Sequence, residues 1–129
     1  MLSLKRKFGD AGEKEAEDFL VKSDYKILDR NYRVKNLGEI DLIAEKNNKL
    51  IFIEVKTRDA KHETNYPIGY SINEKKRRNL KRICQIYLAD KRISPSKNWQ
   101  VDAIFVLVNF KDDSHSIQHL ENILWEAYY

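Results

Sequence analysis

The stretch at residues 38–58, GEIDLIAEKNNKLIFIEVKTR, constrains the fold more than any other part of the chain. Its two apolar runs flank Asn47-Asn48, and asparagine tolerates the positive φ that a two-residue hairpin turn requires. With these asparagines at the centre of the turn, Lys46 faces Lys49, and counting outward places Asp41 opposite Glu54. Facing residues share a side of a sheet, as do alternate residues of one strand. Asp41, Glu54 and Lys56 are therefore expected on one face, with Glu39 across from Lys56. Ile40, Leu42, Ile53 and Val55 are expected on the other face, in the core.

Acids inside apolar runs need a reason, because a buried charge is costly unless something pairs with it. Like charges facing each other weaken a ladder, and two close carboxylates either share a proton or hold a cation. A hard divalent ion such as Mg²⁺ or Mn²⁺ suits two carboxylates plus water. The ammonium of Lys56 would then orient or activate a water and stabilise charge developing on a phosphate. The pattern reads as metal-assisted phosphodiester hydrolysis. The same residues also suit a solvated sheet face with a cross-strand ion pair, since Glu54-Val55-Lys56 alone is a common exposed triple.

Around the hairpin, GDAGEKEAEDFLVKS (9–23) predicts a helix with Gly12, Ala16, Phe19 and Leu20 on one stripe. Glu13 lies at the border of that stripe. There it either completes a metal shell with Asp41 and Glu54 or is simply a boundary residue. Residues 25–33 predict a strand, and 58–71 lack periodicity and predict a long, mobile loop. A second helix spans about 72–90, with Leu80, Ile83, Cys84, Tyr87 and Leu88 at helical spacing. WQVDAIFVLV (99–108) predicts a central strand buried on both faces. Residues 116–120 predict an edge strand, and 122–129 a short helix or extended tail. The order gives an α/β fold with a mixed sheet, in one domain spanning 1–129.

The net charge is +4, and its distribution says more than its size. Separate basic clusters occur at 5–7, at Arg30, Arg33 and Lys35, at Arg58 and Lys61, and at 74–82. They suit a polyanion, or serve as solvated surface. Lys75, Arg78 and Arg82 lie opposite the core stripe of the second helix, where they would track phosphates or merely meet water. Tyr32, Arg33 and Arg58 flank the hairpin acids and either contact nucleic acid or, for Tyr32, pack at the sheet edge. No run approaches the roughly 20 apolar residues of a membrane span, and the N-terminus does not read as a signal peptide. Cys84 is the sole cysteine, so a reducing, cytoplasmic setting is expected, and its place in the helix stripe marks it as core. His115 and His119, four apart in a strand at roughly 3.3 Å per residue, are too distant for a zinc pair.

The blocks FGDAGEKEAEDFL, ILDRNYR, GEIDLIAEKNNKLIFIEVKTR, INEKKRRNL and VDAIFV resemble, in order, those of the bacterial YraN-like family. That family is assigned to the PD-(D/E)XK, or restriction-endonuclease-like, nuclease superfamily and is similar in architecture to archaeal Holliday-junction resolvases. The resemblance covers about Phe8 to Tyr87 and Gln100 to Ala127. It implies a restriction-endonuclease-like αβββαβ core, a mixed central sheet flanked by helices, with the active site at the hairpin. Asp41 matches the first motif acid, although Ile40 stands where some members have proline. Glu54 and Lys56 match the second acid and the lysine, and Glu13 matches the first-helix glutamate of the resolvase-like branch. Lys75 falls where a basic or amide side chain of the second helix supports the site. The resemblance implies an Mg²⁺- or Mn²⁺-dependent endonuclease acting on DNA rather than RNA, with branched DNA among its substrates. A symmetric junction would call for a homodimer. Fold and activity separate, so the alternative is a non-catalytic nucleic-acid-binding or accessory module retaining the fold.

Overall fold

The hairpin forms as its turn residues dictate. Asn47 and Asn48 adopt φ of 51° and 62°, and Lys46 pairs with Lys49. A turn left-handed at both central positions matches the right-handed twist of the strands it joins. A computed structural model describes residues 4–59, 72–109 and 111–124. In chain order these form α1 (Leu4–Lys22), β1 (Lys26–Val34), β2 (Gly38–Lys46), β3 (Lys49–Asp59), α2 (Glu74–Asp90), β4 (Trp99–Asn109) and β5 (Ser114–Leu120).

The strands build one sheet in the order β1-β2-β3-β4-β5. All neighbours are antiparallel except β3 and β4, which run parallel from Leu50↔Trp99 to Asp59↔Val108. A parallel pair needs a crossover, and α2 lies in that connection. The result is the mixed α/β architecture expected, consistent with an αβββαβ core. The middle strand is β3. β4 is interior too, between β3 and β5, and Val101 to Val106 are all buried, as expected of a strand covered on both faces.

Each sheet face carries its own core. Ala16 and Leu20 of α1 bury against Leu42, Ala44, Ile51, Ile53, Ile104 and Val106. On the other face Leu80, Ile83, Cys84 and Tyr87 of α2 bury against Ile40, Ile43, Leu50, Phe52, Val101, Ala103 and Phe105. Such an arrangement hides both faces of β3 and β4, which explains why their sequences are nearly continuous in apolar residues.

Several boundaries differ from expectation. α1 begins at Leu4, five residues before the predicted start. β3 continues through Arg58 and Asp59, predicted as loop, because β4 supplies partners as far as Val108. The remainder of that loop, 60–71, and the tail at 125–129 lie outside the described residues. α2 starts at Glu74, where the Asn73 side chain accepts from the backbone N–H of Lys76 at 2.7 Å. That cap satisfies one of the free donors of the first turn. No helix among the described residues is long and apolar enough to cross a membrane.

Candidate active site at the fork between β2 and β3

The pairing of β2 with β3 stops at Leu42↔Ile53, although β2 stays paired with β1 as far as Gly38 and β3 with β4 as far as Asp59. The sheet therefore opens into a fork, and Asp41 is the first residue of β2 beyond it. Its Oδ2 accepts from the backbone N–H of Val55 at 2.8 Å, a carboxylate standing where a ladder carbonyl would otherwise serve. This corrects the expected facing pattern. Ile40 packs in the α2 cluster and Leu42 in the α1 cluster, so β2 changes the side it presents as it passes Asp41. Glu39 meets Arg33 at 3.0 Å and pairs with it across β1, not with Lys56.

Glu54 follows Leu50 and Phe52 along β3 and shares their side, beneath α2. Its side chain is only 6% exposed, with Lys76 Nζ at 2.7 Å and Lys56 Nζ at 3.2 Å. Burial alone would raise its pKa, but the hydrogen bond from Lys76 and the charges of both lysines outweigh that and lower it. Glu54 is thus a buried carboxylate held ionised by two ammonium groups. The α2 lysine that reaches it is Lys76; Lys75, the expected supporter, is exposed. A sequence signal for Lys76 exists, since 76, 80, 83 and 87 continue one helical stripe.

Asp41 and Glu13 behave in the opposite way. Burial first, then the charges of Glu39 and Glu54, push the carboxyl of Asp41 up to about 6, against the pull of the Val55 N–H and Lys56. Burial and the charges of Asp41, Glu39 and Asp10 push Glu13 up to about 7. Asp41 therefore feels Glu39 and Glu54, and Glu13 of α1 feels Asp41, Glu39 and Asp10, so repulsion among acids centres on the fork. Glu13 reaches it because α1 lies close over β3 at Gly12, where a Cβ would sit 1.8 Å from Thr57 Oγ1. Only glycine fits there. Among the described residues no group of three or more Asp, Glu, His or Cys side chains is gathered closely enough to hold a metal ion as they stand.

The other named residues surround this centre. Arg33 is exposed, and it lines a shallow groove of about 570 Å³ with Lys35 and Glu39 along residues 33–39. Arg58 is half-buried, and its Nη1 donates to the Thr57 carbonyl at 2.9 Å. Arg78 and Arg82 are exposed on α2. Tyr32 packs edge-on against Tyr87 at 5.0 Å and donates to Asp90, so its role is packing. Cys84 is buried in the α2 core, which pushes its thiol far up and leaves it unreactive.

One buried acid went unflagged. Asp102 of β4 is fully buried and takes bonds from Gln100 Nε2 at 2.8 Å and the Asn122 N–H at 2.9 Å. His119 Nε2 lies 2.7 Å from its other oxygen. The signal was an acid interrupting an apolar strand, the same one that marks Asp41 and Glu54. Unlike Asp41, however, Asp102 is satisfied by the protein itself. His115 pairs separately with Glu15 of α1.

Comparison with known proteins supplies a family. A model of the uncharacterised protein family UPF0102 matches residues 12–106, which contain both helices' core stripes, the hairpin and the fork. The chain belongs to that family. A UPF0102 protein of Clostridium acetobutylicum is 38% identical over 122 residues, spanning 95% of this chain and 97% of its own. One from Fusobacterium nucleatum is 39% identical over 120 residues, or 93% and 92% of the two chains. One from Caldicellulosiruptor saccharolyticus is 37% identical over 118 residues, or 92% and 97%. Family membership confirms the YraN-like resemblance, and these relatives match nearly the full length of the chain.

Proposed function

We propose that the fork is the active site of a divalent-metal-dependent endonuclease of the PD-(D/E)XK superfamily, hydrolysing phosphodiester bonds in DNA, branched DNA included. One observation carries the reading: Asp41, the buried Glu54 and Lys56 meet where two paired strands separate, and Glu13 approaches them from α1. Asp41 and Glu54, with Glu13, would hold Mg²⁺ or Mn²⁺. Their hard oxygen donors suit such an ion, and Asp41 and Glu13 carry the mutual repulsion that a double positive charge relieves. When bound, the ion supplies Lewis-acid polarisation of the phosphate and lowers the pKa of a water.

The chain's own residues do the rest. Lys56, anchored on Glu54, presents an ammonium that orients the attacking water and donates to the phosphate oxygens as their charge builds. Lys76 holds Glu54 ionised from the other side. Arg33 at the groove, Arg58 on β3, and Lys75 and Arg78 on α2 take the phosphates of the DNA backbone, which makes binding weaken steeply with salt. A two-fold junction requires two such centres, hence a homodimer on that substrate.

A second reading has its own support. Glu54 already has two cationic partners, and no three-ligand group is assembled among the described residues. Both features favour a nucleic-acid-binding module that has kept the fold without the chemistry. The test is cleavage of linear, single-stranded and four-way DNA by wild type and Asp41→Ala, each with Mn²⁺ or with chelator. The nuclease reading expects cleavage by wild type with Mn²⁺ alone. Binding that survives chelation, with no nick on any substrate, favours the second.

A further inference from the structure

We propose that Asn31 is a positioning residue whose side-chain amide ties Glu13 of α1 to Glu39 of β2 and so fixes the carboxylate edge of the fork. The proposal rests on reading the fork as a cation-binding nuclease site.

Asn31 lies within β1 but holds φ at 52°, a left-handed conformation that few side chains accept inside a strand. Its neighbours pair as Arg30↔Leu42 and Tyr32↔Ile40, which sets Asn31 abreast of Asp41. Of the neighbouring side chains, Arg30 meets Glu17, one turn further along α1 than Glu13, and Tyr32 reaches Asp90 of α2. The amide oxygen and nitrogen are told apart by their partners. With nitrogen toward the acids, Asn31 donates to Glu13 Oε1 at 3.0 Å and to Glu39 Oε1 at 3.0 Å. One NH₂ group thus places its two protons on carboxylates from two different elements. The other oxygen of Glu39 accepts from Arg33 Nη2 at 3.0 Å. A chain of hydrogen bonds therefore runs Arg33, Glu39, Asn31, Glu13, from the rim of β1 into the fork.

Two carboxylates left to themselves would move apart, and a glutamate side chain has three torsions with which to do so. The amide removes that freedom from Glu13. Hydrogen-bond partners of metal-holding side chains commonly carry about 10–100-fold in metal affinity.

The bland role for Asn31 is tolerance of its backbone conformation, and Asn31→Gly separates the two. Glycine holds positive φ without strain while removing the amide. With the full chain, calorimetric Mn²⁺ affinity is expected to fall by roughly tenfold in Asn31→Gly with little change in melting temperature. In a Glu13→Gln background the same change should have no further effect. A metal-free readout stands beside it: the side-chain NH₂ resonances of Asn31 should move on Glu13→Gln and again on Glu39→Gln. Wild-type Mn²⁺ affinity in Asn31→Gly, or NH₂ resonances indifferent to both acids, overturns the proposal. If wild type binds no Mn²⁺ but the resonances respond to both acids, the nuclease reading fails and the tie stands.

Discussion

Gly12→Ala tests how α1 delivers Glu13. The new Cβ would lie 1.8 Å from Thr57 Oγ1, 2.8 Å from Thr57 Cβ and 2.9 Å from Thr57 Cγ2. Rotating Thr57 relieves the first contact only by bringing another substituent forward. The contact with Cβ is fixed by the β3 backbone, so helix and strand must separate. Alanine favours a helix interior over glycine by about 1 kcal/mol. Overpacking of this kind costs about 1–3 kcal/mol. The net expectation is a loss of up to about 2 kcal/mol, or up to roughly 8 °C in melting temperature for a chain of this size. Urea unfolding of Gly12→Ala, Thr57→Ala and the double variant gives the coupling. Thr57→Ala removes two of the three clashing atoms, so a coupling of about 1 kcal/mol and incomplete rescue are expected. Glu13 is the next residue, so Mn²⁺ affinity should fall with stability in Gly12→Ala. A variant stabilised by about 1 kcal/mol, with strictly additive Thr57→Ala, would show that helix propensity rules here and that no close approach exists.

Three further outcomes follow from the electrostatics. The folded-state pKa of Asp41, about 6, lies above its ordinary value of 3.8. Its contribution to stability is therefore present below pH ~4 and lost as pH rises through about 6 in chelator, by up to about 3 kcal/mol. Comparing urea midpoints of wild type and Asp41→Asn at pH 4.5 and 7.5 should show the variant gaining ground at the higher pH; a constant difference contradicts the shift. Lys76→Ala leaves buried Glu54 with Lys56 as its remaining ammonium partner among those described and should cost about 1–3 kcal/mol, whereas exposed Lys75→Ala should stay within about 0.5 kcal/mol. Equal costs in urea unfolding would mean that α2 sits in another register. Asp102→Asn replaces a fully buried acceptor of three bonds and should cost about 2–4 kcal/mol; a near-neutral variant would deny that network.

How much of this the sequence carried depends on how local each signal was. The hairpin register was legible because Asn47-Asn48 specify the turn, and the turn specifies every pair back to Leu42↔Ile53. The fork was not, because it depends on where β2 leaves β3, and that is decided by the Asp41 bond to Val55 across the gap. Counting on through it put Ile40 with Leu42 and Glu39 with Lys56, both mistaken. Asp41, Glu54 and Glu13 were found as acids beside apolar stripes, a signal that does not need the tertiary structure. Choosing Lys75 over Lys76 ignored the phase of α2, which the buried Leu80, Ile83 and Tyr87 already set. Asn31 was invisible, since an asparagine in a strand announces neither its left-handed φ nor the two acids it joins.

Titration calorimetry of Mn²⁺ into the metal-free chain near pH 7.5, alongside Asp41→Asn and Glu54→Gln, reaches the centre of this account. One saturable site per chain in wild type, abolished or greatly weakened in both variants, is the expected result. Heats indistinguishable among the three proteins would mean that the acids of the fork hold no ion.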